Sequence, residues 1–433
     1  MPLANWLENS RQQYSDKVAL IFGNQTWTYT AFDEMTDRVA ASLSQMGVRP
    51  GDRVALHLPN CPELIFSYYA CFKLGAIAVP LVPLLKAPEL EYILNHCEAR
   101  VCISHRGVFA EVESIRATVP SLQHCFLVGE TGTFPTTQPF SALIQPLEPG
   151  VQFSYPIHDS RVAAILYTSG TTARPKGVTH THATLQNAAS YYVEWADLKQ
   201  TDVLAGMLAL THIFGFTLQL LSAVRVGATL IILPSREPET LLHAMQQHRT
   251  TKLYGLPVMY NQLVNHPNAA TYDLSALQAC FAGGDAIAIA LHERFKQVFG
   301  LELTEGCGMT EVIPYSMNPP FGEKRLGSIG KALIGMTLRL VDDHGNDVAL
   351  GEVGEIWVKS DATMIGYWNN SEATTAVLQA GWLRTGDLAY RDRMTTTGLS
   401  AAKRKSSSGV AVTFHRLRSN LCSTNIPLFE KPL

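Results

Sequence analysis

Two rhythms of apolar and polar residues divide the first 390 residues. From Thr30 to Met46, Phe32, Val39, Ala40 and Leu43 recur at helical spacing and predict an amphipathic helix that ends at Gly47. Pro50-Gly51-Asp52 then predicts a turn into a strand, Arg53 to Leu58. Pro62 to Leu74 reads as a second helix, and Ile77 to Leu81 as a strand stopped by prolines. Such alternation favours mainly parallel sheets with helices on both faces, hence the α/β class. From about residue 327 the texture changes. Leu338 to Val341 and Gly354 to Val358 are short strand patterns between turn residues, which predicts a small antiparallel β unit. Pro149 to Ser160 reads as a loop, and no internal repeat is visible. Thr395 to Ser408 is polar, basic and aperiodic, which predicts a disordered tail.

One apolar stretch bears on the setting of the chain. Val203 to Val224 contains no Asp, Glu, Lys or Arg and is long enough to span a bilayer. Its interior holds Gly206, Thr211, His212, Thr217, Gln219 and Ser222, so a buried strand, loop and helix is the better reading and no transmembrane segment is expected. Met1 to Tyr14 lacks the apolar core of a signal peptide, and a cytoplasmic location is expected.

Composition narrows the partners. The 433 residues are 46% apolar and 16% charged, with 34 basic against 37 acidic side chains and a net charge of −3. A chain of this length suggests about three domain-sized units. The balance argues against disorder overall and against nucleic acid as a partner. The eight cysteines (Cys61, Cys71, Cys97, Cys102, Cys125, Cys280, Cys307 and Cys422) form no CxxC pair, so neither a zinc site nor a disulfide framework is indicated.

The densest chemical signal lies after the strand Val162 to Leu166. Thr168, Ser169, Gly170, Thr171, Thr172, Ala173, Arg174, Pro175 and Lys176 supply four hydroxyls, glycine backbone and an ammonium, donors suited to a polyphosphate. The pattern differs from the common GxxxxGK[ST] loop, because Pro175 precedes Lys176 and Gly177 follows it; an ordinary polar loop is the alternative.

Two further segments sharpen this reading. Glu305-Gly306-Cys307-Gly308-Met309-Thr310-Glu311 follows a predicted strand, and Asp387 ends Trp382-Leu383-Arg384-Thr385-Gly386-Asp387. In this order the three segments resemble the signature of the adenylate-forming enzymes, the superfamily of acyl-CoA synthetases, luciferases and peptide-synthetase adenylation domains. Supporting matches are Trp27-Thr28-Tyr29, Leu210 to Gly215, Ala282-Gly283-Gly284-Asp285, Gly354-Glu355-Ile356 and Met364 to Trp368, so the resemblance runs from Trp27 to Asp392.

The resemblance implies a large adenylation domain over residues 1–392, with two mainly parallel sheets, flanking helices and a small β-barrel subdomain at 327–390. It implies ATP, Mg²⁺ and coenzyme A as cofactor and co-substrates, and ATP-dependent activation of a carboxylic acid, a fatty acid first, as acyl-AMP for transfer to the thiol. A homodimer is left open. Residues Thr168 to Lys176 would hold the β- and γ-phosphates. Thr310 would touch the α-phosphate and Glu311 would bind Mg²⁺, a hard cation that prefers oxygen ligands. Asp387 would accept from the ribose hydroxyls. Gly283, Gly284 and Asp285, with Glu305, Gly306 and Cys307, would flank the adenine and the acyl group. His212 with Phe214 would gate the acid pocket; the alternative for His212 is a hydrogen-bonded core histidine. His57, His180 and His182 receive no role. Peptide-synthetase domains usually carry an Asp near this position to hold an α-ammonium, and Leu210 to Phe214 contains no acidic residue, so a plain fatty or aryl acid is favoured over an amino acid. A carrier-protein acceptor and a non-catalytic nucleotide-binding remnant are the other readings.

The chain departs from the pattern in three places. The family usually has an aromatic residue where Cys307 stands, and losing its ring would weaken adenine stacking by roughly 1–3 kcal/mol. Ala173 replaces a common Gly. Beyond Asp392 the family continues into a lid of about 100–130 residues with its own catalytic lysine, whereas 393–433 shows none of its elements. Met394 to Asn420 can, however, be encoded so that a shifted reading frame spells DDYWFIGRKKEIIIRGGCNISPLEVE, and Leu421 to Lys431 so that it spells VLYQHPAVREA. Both strings resemble that lid, which points to a frameshift near Arg393 and an out-of-frame tail. Without the lid, weak nucleotide binding and slow turnover are expected.

Overall fold

The computed structural model describes residues 2–132, 134–147, 153, 155–168, 174–233, 237–322, 324–391 and 398–404. Strands β1 (Val18–Phe22) and β2 (Gln25–Thr28) follow an N-terminal helix, Leu3–Gln13. Next come β3 (Arg53–His57), β4 (Ile77–Pro80), β5 (Val101–His105), β6 (His124–Val128) and β7 (Gln138–Pro139), interleaved with helices. β8 (Val162–Thr168) and β9 (Lys176–Thr181) form a hairpin. β10 (Val203–Gly206), β11 (Thr229–Ile232), β12 (Lys252–Gly255), β13 (Ala279–Ala282) and β14 (Leu303–Met309) again alternate with helices. The rest is largely β: β15 (Val312–Met317), β16 (Ser328–Ala332), β17 (Thr337–Val341), β18 (Val353–Lys359), β19 (Gly366–Tyr367), β20 (Leu378–Gln379), β21 (Trp382–Arg391) and β22 (Gly398–Arg404).

These strands make two sheets. The smaller runs β19-β9-β8-β4-β3-β5-β6-β7, parallel from β8 to β7. The larger runs β17-β18-β21-β22-β16-β15-β14-β13-β12-β10-β11-β1-β2, with β20 paired to β21. Its parallel half (β14, β13, β12, β10, β11, β1) turns antiparallel at the β14–β15 hairpin, and the β-rich unit expected beyond residue 327 is an antiparallel arm of this sheet.

Local sequence explains the helix bounds. Thr28 Oγ1 accepts from the Ala31 amide and opens the helix Tyr29–Gln45, one residue from the spacing-based expectation. Pro62 opens the helix Pro62–Leu74 and Gly75, at φ 68°, ends it, the bounds expected from sequence. That helix is buried nearly all round, as its uniform apolarity requires. Lys73 ends buried between Asp33 (2.6 Å) and Asp37, so its charge is paired.

Val203 to Val224 folds as a strand, a loop and a helix whose Phe214–Leu221 segment is a π-helix, and no helix among the described residues is long and apolar enough to cross a membrane. Within the stretch expected to lack regular structure, Gly398–Arg404 forms β22 between β16 and β21. Two neighbouring strands offer unpaired backbone groups there, and a strand can fill such a gap without an amphipathic pattern.

Candidate functional site

Parallel α/β sheets place ligands beyond the carboxyl ends of their strands. Here Gly283 and Gly284 follow β13, and β14 carries Gly306 beside them. A Cβ on Gly283 would lie 3.0 Å from the Gly306 carbonyl, and one on Gly306 would lie 2.5 Å from Met317 Cγ. The absence of side chains leaves a crevice lined by His212, Ile213, Phe214, Leu218, Ala282, Gly283, Gly284, Gly306, Cys307, Gly308, Met309, Ile313, Pro314 and Met317. Among the described residues, His212 is its one imidazole, and no Asp, Glu, Lys or Arg lines it.

The π-helix forms one wall. π-turns are uncommon and concentrate at functional sites. Phe214 and Leu218 project from it into the crevice, while Phe216 stacks on Tyr68 with centroids 4.5 Å apart. The loop ahead of it is anchored by Asn60, which donates to the Leu208 carbonyl (2.7 Å) and accepts from the Leu210 amide (2.8 Å). His212 is thereby held at the mouth, exposed, with Nδ1 accepting from the Phe214 amide at 3.3 Å. The core-histidine alternative does not hold.

A second group lies where the two sheets meet. Thr168 and Lys176 pair across the β8–β9 hairpin, so the connection between them closes at a fixed point. Ser169, Gly170, Thr171, Thr172 and Ala173 lie outside the described residues. Thr310 and Glu311 form the two-residue turn between β14 and β15 and are buried. His180, on β9, donates from Nε2 to the Thr310 carbonyl (2.8 Å) and accepts at Nδ1 from Thr184 Oγ1 (3.1 Å). A carbonyl only accepts, so Nε2 carries the proton. Burial pushes the His180 pKa down to about 4, which keeps the ring neutral near pH 7. Tyr367 donates its hydroxyl to Glu311 Oε1 (2.7 Å), and Lys176 Nζ sits 5.1 Å from the centre of the Tyr367 ring. The Glu311 carbonyl accepts from the Met364 amide at 2.8 Å.

Asp387, on β21, is only 2% exposed. Its Oδ2 accepts from the buried Tyr315 hydroxyl (2.8 Å), and the Tyr315 oxygen also lies 2.8 Å from Cys307 Sγ. Burial, and then the Asp387 charge, push the Tyr315 pKa up, so the phenol keeps its proton. Cys307 therefore joins the crevice to the Asp387 carboxylate through one tyrosine. It is also the one cysteine among the described residues that is not buried.

The structure thus gathers Lys176, Thr310 and Glu311 in one group, Cys307 and Asp387 in another, and His212, Gly283, Gly284 and Gly306 along the crevice between strands. Two expected residues stand apart. Glu305 turns its carboxylate to His292, 3.6 Å away on the helix Ile289–Phe299. Asp285 is half-buried, with Oδ1 accepting from the Ala286 amide at 2.8 Å. Sequence reasoning missed Tyr315, Tyr367 and His180. Tyr367 lay inside a quoted motif, whereas Asp387 and Thr310, the partners that bring Tyr315 and His180 to the site, are 72 and 130 residues away, beyond any local signal.

The fold and the two residue groups define an adenylate-forming enzyme, and the chain belongs to the AMP-binding enzyme family, whose sequence model matches residues 7–368. Its type is the acyl-CoA ligase. It is 31% identical over 421 residues to the long-chain-fatty-acid–CoA ligase of Bacillus subtilis (strain 168), covering 90% of this chain and 74% of that one. It is 32% identical over 393 residues to a feruloyl-CoA synthase of an Amycolatopsis species, covering 90% and 76%. Its fold matches the crystal structure of the anthranilate CoA ligase AuaEII in complex with anthranoyl-AMP, with a TM-score of 0.88 and 31% identity over 95% of this chain and 80% of that one.

Proposed function

We propose that the chain activates an apolar carboxylic acid with ATP as an acyl adenylate and passes the acyl group to coenzyme A. The observation that carries this is the adjacency of an uncharged crevice to two polar groups: Lys176, Thr310 and Glu311 on one side, Asp387 on the other. In the first step a carboxylate oxygen of the acid attacks the α-phosphorus and pyrophosphate leaves. In the second the thiolate of coenzyme A attacks the acyl carbonyl and AMP leaves.

Each group has a task suited to its chemistry. Lys176 offers a cation to the outer phosphates, and the Thr310 hydroxyl a donor to the inner one. Asp387, already oriented by Tyr315, accepts from ribose hydroxyls. His212 stands at the crevice mouth, where the acid's carboxylate meets the nucleotide. The crevice takes the acyl group. A divalent cation fits Glu311: Oε1 is held by Tyr367, and Oε2 has no hydrogen-bond partner among the described residues. No cluster of three or more His, Cys, Asp or Glu among the described residues could cage a metal, so such a cation would complete its shell with phosphate oxygens and water. When bound, it offsets negative charge on the phosphates.

A fatty acid fits the apolar lining. An aryl acid is the second reading, supported by the flat glycine backbone and the Phe214 ring that bound the crevice. Acid-dependent pyrophosphate release over a panel of aliphatic and aromatic acids, with coenzyme A or a carrier protein as acceptor, tests the assignment. Background release with every acid would reject it and leave a nucleotide-binding remnant.

A further inference from the structure

Lys176 and Glu311 carry opposite charges in one corner of the site, yet they make no ion pair among the described residues. Tyr367 contacts both. Its ring lies under the Lys176 ammonium, 5.1 Å from Nζ to the ring centre, and its hydroxyl donates to Glu311 Oε1 at 2.7 Å. We propose that Tyr367 is a positioning residue that keeps Lys176 and Glu311 apart and leaves Oε2 of Glu311 turned to the metal of an incoming metal–nucleotide complex. The inference rests on the reading in which Glu311 takes the divalent cation.

The physical reason is charge. A lysine for phosphate and a carboxylate for metal are each useful only while unneutralised. At short range in a partly buried site their mutual attraction is strong. A direct bridge would have to break each time a nucleotide enters. Tyr367 gives each charge a neutral partner instead: a ring face for the cation and a hydroxyl donor for the anion. One carboxylate oxygen is used and one is left.

The backbone around Tyr367 is fixed for this task. Its amide donates to Thr374 Oγ1 (2.9 Å), and the residue pairs with Val178 on β9. Trp368 donates its amide to the Gly177 carbonyl (2.7 Å), directly after Lys176, and Met364 donates to the Glu311 carbonyl (2.8 Å). Lys176 belongs to the smaller sheet and Glu311 to the hairpin of the larger one. The segment 364–368 is hydrogen-bonded to both, so the hydroxyl meets Glu311 at a set distance.

Equilibrium titration of ATP, once with Mg²⁺ and once with EDTA, into the wild-type protein, Tyr367→Phe and Tyr367→Leu tests this. The wild type should bind more tightly with Mg²⁺. Tyr367→Phe keeps the ring, and should lose roughly tenfold of affinity with Mg²⁺, the scale of one hydrogen bond to a charged group, with EDTA affinity unchanged. Tyr367→Leu should weaken binding in both conditions. If Tyr367→Phe keeps the full Mg²⁺-dependent gain, or loses affinity equally in both conditions, the positioning role is wrong. If the wild type itself shows no Mg²⁺-dependent gain, the metal reading of Glu311 fails first and this inference with it. Thermal melts confirm that each variant folds.

Discussion

Tyr315 holds Asp387. The hydroxyl of one donates to Oδ2 of the other at 2.8 Å, and both side chains are buried, Tyr315 on β15 and Asp387 on β21. In the proposed function Asp387 accepts from the ribose hydroxyls, and Tyr315 orients its carboxylate for that role. Tyr315→Phe leaves the ring and removes that donor. Losing a hydrogen bond to a buried charge costs about 1.5–3 kcal/mol. The expected outcome is a lower melting temperature and AMP binding weakened roughly tenfold or more. Calorimetric titration of AMP reads it, and unchanged affinity would show that Asp387 does not need Tyr315.

Cys307 stands where an aromatic residue is usual, and it lines the acid crevice. Cys307→Tyr puts a ring beside the proposed adenine position. Base–aromatic stacking is worth about 1–3 kcal/mol, so adenine nucleotides should bind roughly tenfold more tightly. The matched control is inorganic triphosphate, which has no base to stack and whose affinity should be the same in both proteins. Equal ATP affinities for wild type and variant would place adenine elsewhere.

Three histidines predict acid sensitivity. Burial lowers the pKa of His57, His180 and His182 to about 4, from an ordinary 6.5. The folded protein disfavours the imidazolium, so below pH 6.5 the unfolded chain binds more protons than the native one. The stability these groups contribute is full above pH 6.5 and is lost as pH falls toward 4. At pH 5.5 the loss is on the order of 1 kcal/mol per histidine. Melts between pH 7.5 and 5 should show the fall, and His180→Gln should make it shallower. A melting temperature that rises with acid would contradict this.

The frame of residues 393–433 is checked by nucleotide sequence alone. Codons for Met394 to Asn420 are expected to spell, one frame over, a string of the lid type. Codons that do not would contradict the shifted frame.

These cases also mark how far the amino-acid sequence speaks. The helix Pro62–Leu74 is legible because Pro and Gly bracket a continuous apolar run. The Thr310–Glu311 turn and Asp387 are legible because each sits in a short segment with a fixed order of small and charged residues. β22 is not, because edge pairing depends on which strands are left open and on no side-chain rhythm. The side chain of Glu305 lies in the same motif as Thr310, yet it turns to His292 on the helix Ile289–Phe299, a partner brought close only by folding. Tyr315, Tyr367 and His180 gain their meaning from partners brought close only by folding.

The central claim is chemical: this site joins AMP to a carboxylic acid. A single-turnover mixture of stoichiometric protein, ATP, Mg²⁺ and acid, quenched and read by mass spectrometry, tests it most directly. The account predicts acyl-AMP and pyrophosphate in equal amounts, dependent on the acid and abolished by Asp387→Ala. ADP and phosphate in their place, or no acyl-AMP with any acid while ATP binds, would contradict it.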